Sequence, residues 1–203
     1  MNQEQVIIKN FELFKAQTAK LGAKAGNLST FLDQNAERVM LAPASTRLEY
    51  TCCHPGGLVE HSLRVLQHAA KLRQVYNQTD DVTTNNLILT SLYHDIGKIG
   101  TDTKEYYVEN TSDWHRDKLG ILYNVADRFQ HVSPSQLSLW WISKNMVEID
   151  IDEWYSISMI GNKTMRDDMP TVGNEPWLSV ILSQAVKGAC MVGKGKTKAV
   201  PIQ

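Results

Sequence analysis

At 203 residues, 42% of them hydrophobic, the chain can bury one core and fits a single domain with small additions. Its 21 basic and 22 acidic residues leave a net charge of -1, which excludes attraction of the whole molecule to nucleic acid or to an anionic membrane. Cys52, Cys53 and Cys190 match neither a disulfide framework nor a Cys-x-x-Cys zinc site, and no apolar run reaches the ~18 residues of a spanning helix. With a start, "MNQEQVIIKNFELF", that lacks a signal-peptide pattern, the expectation is a cytoplasmic protein in a reducing compartment, with no membrane partner.

Helical periodicity dominates, so the fold class expected is all-α. Val6, Ile7, Phe11 and Phe14 form one stripe over residues 3 to 20, and Leu28, Phe31, Leu32, Ala36 and Val39 form another over 27 to 41. After "LAPASTR", the apolar and small residues of "HPGGLVEHSLRVLQHAAKLRQVY" recur at three- and four-residue steps for about five turns. A fourth helix is expected over Thr84 to Asp95, ended by Gly97, and a fifth over about Asp113 to Arg128. Ser133-Pro134 suits the start of the Trp-rich helix, where one of the adjacent Trp140 and Trp141 must point away from the other's neighbours. Asp152 is expected to cap a short helix, "GNKTMRDDMPTVGNEP" to be a loop, and Pro176 to open a last helix. The final "GKGKTKAVPIQ" has three lysines and no core pattern, so a flexible basic tail is expected over 193 to 203.

"LYHDIGK" sets His94 beside Asp95 at the end of an apolar segment. About 100° apart around a helix, the two side chains can reach one ion beside the last turn, and imidazole with carboxylate suits a borderline divalent metal. His61, at the edge of its helix's apolar stripe, is the best third donor, and His54 in the preceding loop is a candidate fourth. His68 lies about 10 Å along the axis from His61 and cannot share its ion. His68 and His131 are read as ordinary core or surface histidines.

Together, "HPGGLVEHSLRV" and, about thirty residues later, "SLYHDIGKIG" resemble the HD-domain metal-dependent phosphohydrolase superfamily. "LAPASTR" followed by "HPGGLVEHSL" is similar to bacterial HD-domain 3′ to 5′ exoribonucleases and phage-encoded HD proteins, and "YYVENTSDWHRDKLG" looks like the phage-type branch. The resemblance implies a helical bundle organised as an N-terminal helical extension over 1 to 41, an HD-like domain over 42 to 192 and the tail. It implies His61, His94 and Asp95 as ligands of a divalent ion such as manganese, iron, zinc, nickel or magnesium. It also places Lys98 facing a phosphate, with His115 and Arg116 as further phosphate-holding or metal-shell candidates. The nucleophile would be a water that the metal makes acidic, and for a phage-encoded protein the location would be the host cytoplasm.

The chain departs from that pattern twice. The late helix reads "LSQAV", with Ser183 and Val186 where the pattern has His and Asp, and "SISMIGNK" puts Ile160, Gly161 and Asn162 where it has His-Asp-Gly. From Pro176 to Gln203 there is no Asp, Glu or His. Lys187 would then stand beside the missing carboxylate, where its ammonium would replace part of an ion's charge. Two functions compete on these grounds: hydrolysis of a nucleotide or nucleic-acid phosphate ester, and binding of a nucleotide or a host protein by a scaffold that has lost catalysis. A third, nucleic-acid binding through Lys194, Lys196 and Lys198, offers only modest, salt-sensitive attraction.

Overall fold

The computed structural model describes residues 2–160 and 173–202. Helix α1 spans Gln3–Thr18 and opens with a capping box between Asn2 and Gln5. A 3-10 segment leads into α2, Ala25–Gln34, and α3, Ala36–Leu41, follows at once. The single helix expected over 27 to 41 is thus broken at Asn35, whose backbone leaves the helical region and whose side chain donates to the Phe31 carbonyl at 2.9 Å. That local bond competes with continuation of the helix.

Helix α4, Gly57–Val75, begins at the Pro-Gly-Gly, and α5, Thr84–Tyr93, carries a Thr83–Asn86 capping box. A 3-10 turn, Ile96–Ile99, follows. Next comes a small antiparallel hairpin, β1 over Tyr107–Glu109 and β2 over Tyr123–Val125, with α6, Asp113–Leu119, between its strands. The helix expected to run to Arg128 stops at Leu119 because Gly120 adopts φ 61, a left-handed cap that L side chains rarely occupy. Helix α7, Pro134–Lys144, starts at the expected Ser133 cap, and α8, Ile151–Met159, is capped by Asp150 rather than Asp152. Helix α9, Trp177–Gly193, follows Pro176, which holds the N-cap position. Of the loop expected over 161 to 176, residues 161 to 172, with Gly161 and Asn162, lie outside the described residues.

Two apolar clusters meet along α4. On one side Phe11, Phe14, Leu28, Phe31 and Val39 interlock with Leu58, Leu63, Leu89, Leu92 and Trp141, so the N-terminal helices share the main core. They are packed within it rather than appended to it. On the other side Val65 and Ala69 pack against Leu182, Ala185 and Ala189 of α9.

The C-terminal segment, expected to be a flexible tail, is docked. Val200 N–H donates to Glu60 at 2.8 Å, Ile202 N–H to Asn10 at 2.9 Å, and Ala199 N–H to Gln3 at 2.8 Å, while Ala199 and Ile202 are buried. Polar side chains of α1 and α4 thus supply partners for an extended backbone, which periodicity does not reveal.

Candidate metal centre

His61 sits in the second turn of α4, and His94 and Asp95 sit where α5 gives way to the 3-10 turn. That turn is pressed against α7: a Cβ at Gly97 would meet the Pro134 carbonyl oxygen at 2.2 Å, so only glycine fits, and Gly97 N–H donates to Ser138 at 2.9 Å. The tight approach fixes the backbone on both sides of Asp95 and Lys98.

Donor atoms of His61, His94 and Asp95 all lie within 4.8 Å of one another, and all three residues are buried. The imidazole rings are 5.6 Å apart between centroids, and His94 Nε2 is 3.5 Å from Asp95 Oδ2. His94 Nδ1 lies 2.9 Å from the Ser91 carbonyl oxygen, which can only accept, so Nδ1 carries the proton and Nε2 presents its lone pair. Neither His94 Nε2 nor His61 Nδ1 has a hydrogen-bond partner, although both atoms are buried. Orphaned buried nitrogens beside a carboxylate fit a bound cation, because a buried polar atom with no partner is otherwise costly.

Burial pushes His61 down to about 3, with His94 and Lys98 adding to the shift, and burial lowers His94 as well. Both imidazoles are therefore neutral near pH 7, the form a metal needs. For Asp95, burial favours the neutral acid, but the Lys98 ammonium, joined by His94 and His61, outweighs it and holds the carboxyl well below the usual range. Lys98 Nζ donates to Asp95 Oδ2 at 2.5 Å and to the Ala44 carbonyl at 2.6 Å. The "LAPASTR" loop thereby closes over the turn.

Lys98 also lines a cleft of about 400 Å³ whose walls include Arg38, Tyr107 and Tyr123 and three carboxylates, Glu37, Glu105 and Glu109. Arg38 is held by Glu105 at 2.7 Å and by the Ile99 carbonyl. Burial raises both phenols, most of all, so Tyr107 and Tyr123 keep their protons and can donate.

The other expected site residues fall elsewhere. His54 Nε2 is 3.7 Å from Glu60 Oε2, and His54 groups with Cys52 and Glu60 instead of standing fourth in the triad. Neighbours on α4, Glu60 and His61 point about 100° apart and so serve different clusters. His115 is exposed on α6, and Arg116 is tied to Asp113 and to the Asn110 carbonyl; no hydrogen bond or ion pair joins either to the triad among the described residues. Lys187 is exposed, which removes the idea that its ammonium fills the centre. Trp141 is buried and donates to the Gly100 carbonyl at 2.8 Å, while Trp140 is exposed beneath Lys144.

Sequence reasoning missed Tyr107, Tyr123 and Cys190. Burial pushes the Cys190 thiol up, and it feels the charges of Lys98 and Asp95. The run "EYYVE" was the only signal for the cleft, and nothing in its spacing marks it.

No helix among the described residues is long and apolar enough to cross a membrane. Neither the curated proteins nor the solved structures yield a match to the chain. The HD-domain family model matches residues 58–164, more than half of the chain and the part that carries His61, His94, Asp95 and Lys98. With a helical fold and a buried His, His-Asp cluster inside the matched region, the chain belongs to the HD-domain family.

Proposed function

We propose that the protein is a metal-dependent phosphohydrolase or phosphodiesterase acting on a phosphate ester of a nucleotide or a nucleic-acid end. The observation that carries this reading is the pair of unpartnered buried imidazole nitrogens beside Asp95, next to a cleft that Lys98 lines. His61, His94 and Asp95 would hold a divalent ion, which when bound supplies a Lewis acid and an acidified water.

The chain's own groups do the rest. Ser91 fixes the His94 ring through its carbonyl, and burial keeps both imidazoles neutral. Lys98 balances Asp95 and, from its position in the cleft wall, offers its one remaining ammonium proton to a phosphate oxygen. Tyr107 and Tyr123 add neutral donors. The Arg38–Glu105 and Lys98–Asp95 pairs cancel, so Glu37 and Glu109 leave the cleft walls acidic. The ion's two positive charges would offset these carboxylates toward the phosphate, while Glu37 and Glu109 remain acceptors for amino groups of the ester.

The test is elemental mass spectrometry of purified wild type and His94→Ala, with no metal added after lysis, followed by hydrolysis assays on nucleoside monophosphates, cyclic nucleotides and short single strands. Bound metal in wild type, lower by one ion per chain in His94→Ala, together with hydrolysis of one substrate class is the expected result. Metal-replete wild type inactive on the whole panel overturns the proposal, as does wild type that holds no metal.

A further inference from the structure

A second group of potential ligands lies on the other side of Glu60 and His61's turn of α4. Cys52 and His54 come from the connection that precedes α4, and Glu60 from its first turn; their donor atoms also lie within 4.8 Å of one another, and all three residues are buried. Cys52 Sγ is 3.7 Å from Glu60 Oε1, and His54 Nε2 is 3.7 Å from Glu60 Oε2.

The state of His54 decides what this group needs. Its Nδ1 is 2.9 Å from the Pro55 carbonyl oxygen, an acceptor, so Nδ1 holds the proton. In the neutral ring Nε2 then offers only a lone pair, and it is buried, without a hydrogen-bond partner, and directed at a carboxylate oxygen. Arg64 and, at 3.8 Å, Lys196 place positive charge on the Oε1 side of Glu60, but neither gives His54 Nε2 a partner, so the two acceptors on the Oε2 side still lack a cation between them. His54 is 3% exposed and Glu60 0%, so bulk solvent does not supply it.

We propose that Cys52, His54 and Glu60 form a second metal site, of the zinc class, that fastens the 51–56 connection and the C-terminal segment to α4. Thiolate, imidazole and carboxylate together are a donor set suited to zinc and poorly suited to magnesium or calcium. Glu60 is oriented as ligating carboxylates are: Arg64 donates to Oε1 at 2.9 and 3.2 Å, and Val200 N–H donates to Oε2 at 2.8 Å. Because Val200 belongs to the docked tail, the site has a structural consequence. It holds the chain end against α1 and α4.

Cobalt(II) distinguishes this site from the first, because thiolate ligation gives an intense near-ultraviolet charge-transfer band and the His, His-Asp centre has no thiolate. The full chain in a Cys190→Ser background, which removes the thiol nearest the first centre, is titrated with cobalt(II). The expected band appears in that background and in His94→Ala, and is lost, with one equivalent of bound cobalt, in Cys52→Ser and in His54→Gln. Absence of the band in the parent, or its survival in Cys52→Ser, overturns the proposal. Should the variants not fold, X-ray absorption of the zinc-loaded parent decides: sulfur at about 2.3 Å from zinc supports the site, and an all-nitrogen and oxygen shell refutes it. Persistence of the band alongside unchanged metal content in His94→Ala would sink the phosphohydrolase centre and leave this site standing.

Discussion

Two elements flank α4 near the centre, and they contribute opposite things. The end of α5 with its 3-10 turn delivers His94, Asp95 and Lys98, while α9 delivers Leu182, Ala185 and Ala189 to a packing surface and no member of the ligand group. A helix end exposes unpaired backbone groups and changes chain direction, so successive side chains such as His94 and Asp95 can converge on one point. A continuous helix laid along α4 presents every third or fourth residue to it, and small side chains there let the two backbones approach. The difference teaches that chemistry here is concentrated at a break in secondary structure, and shape at an unbroken run.

The largest blow to that division is Asp95→Ala. It removes the carboxylate that Lys98 contacts at 2.5 Å, and it leaves an ammonium with 11% side-chain exposure without its counter-charge. Breaking a buried pair by deleting one partner costs about 3–5 kcal/mol. Urea denaturation should register that loss and elemental analysis a loss of bound ion. Unchanged stability would mean that Lys98 swings to solvent at little cost. On the α9 side, Leu182→Ala truncates a fully buried side chain, for a cost of about 2–5 kcal/mol. Here ion content should stay at the wild-type level, so the two variants separate stability from ligation. Coupled loss of ion in Leu182→Ala would show that α9 packing also positions the donors.

The sequence exposes these two elements unequally. His61, His94 and Asp95 were legible because the motif spacing and helical geometry fix which side chains converge, and the all-α class because periodicity is strong throughout. The hairpin, the break at Asn35 and the docked tail were not. Strands of three residues carry no readable alternation, and a tail held by backbone hydrogen bonds to Gln3, Asn10 and Glu60 needs no apolar repeat. His54 shows the limit within the site itself: adjacency to the motif suggested a shared ion, but one 100° step from Glu60 to His61 sends the two clusters to different sides.

pH sharpens the contrast because the groups that titrate on the acid side gather in the His61, His94 and Asp95 cluster. His61 is lowered from 6.5 to about 3, and His94 is also lowered, each mainly by burial. Between those values the unfolded chain binds protons that the native one refuses, so stability is full above about pH 6.5 and falls as pH drops toward 3. Asp95, lowered from 3.8, adds loss of the same sign at the acid end. Lys98 works at the other end: burial pulls it down, the Asp95 carboxylate outweighs this, and its raised value gives stability that is present below 10.5 and lost at higher pH. Burial also raises the Cys52 and Cys53 thiols from 9.0 to about 11, so they too lose stability as pH rises past their unfolded value, and urea midpoints should form a plateau from about pH 7 to 8 and decline on both sides. A midpoint flat from pH 7 to 4 would show that the buried imidazoles protonate in place.

Lys187→Ala should do the least, and for that reason it probes the α9 side most directly. The residue follows Val186, where the resemblance would expect the pattern's last Asp, but its side chain is exposed while Val186 packs against the α4 cluster. An exposed helical lysine without a buried partner changes stability within about 0.5 kcal/mol when truncated. Ion content and the KM of a phosphate-ester substrate should both be unchanged, since an ammonium in solvent neither repels the ion nor holds the phosphate. A severalfold rise in KM would require α9 to turn this face inward when substrate binds. In that event both sides of α4 would carry chemistry, and the division between a reactive break and a packing helix would fail at the helix.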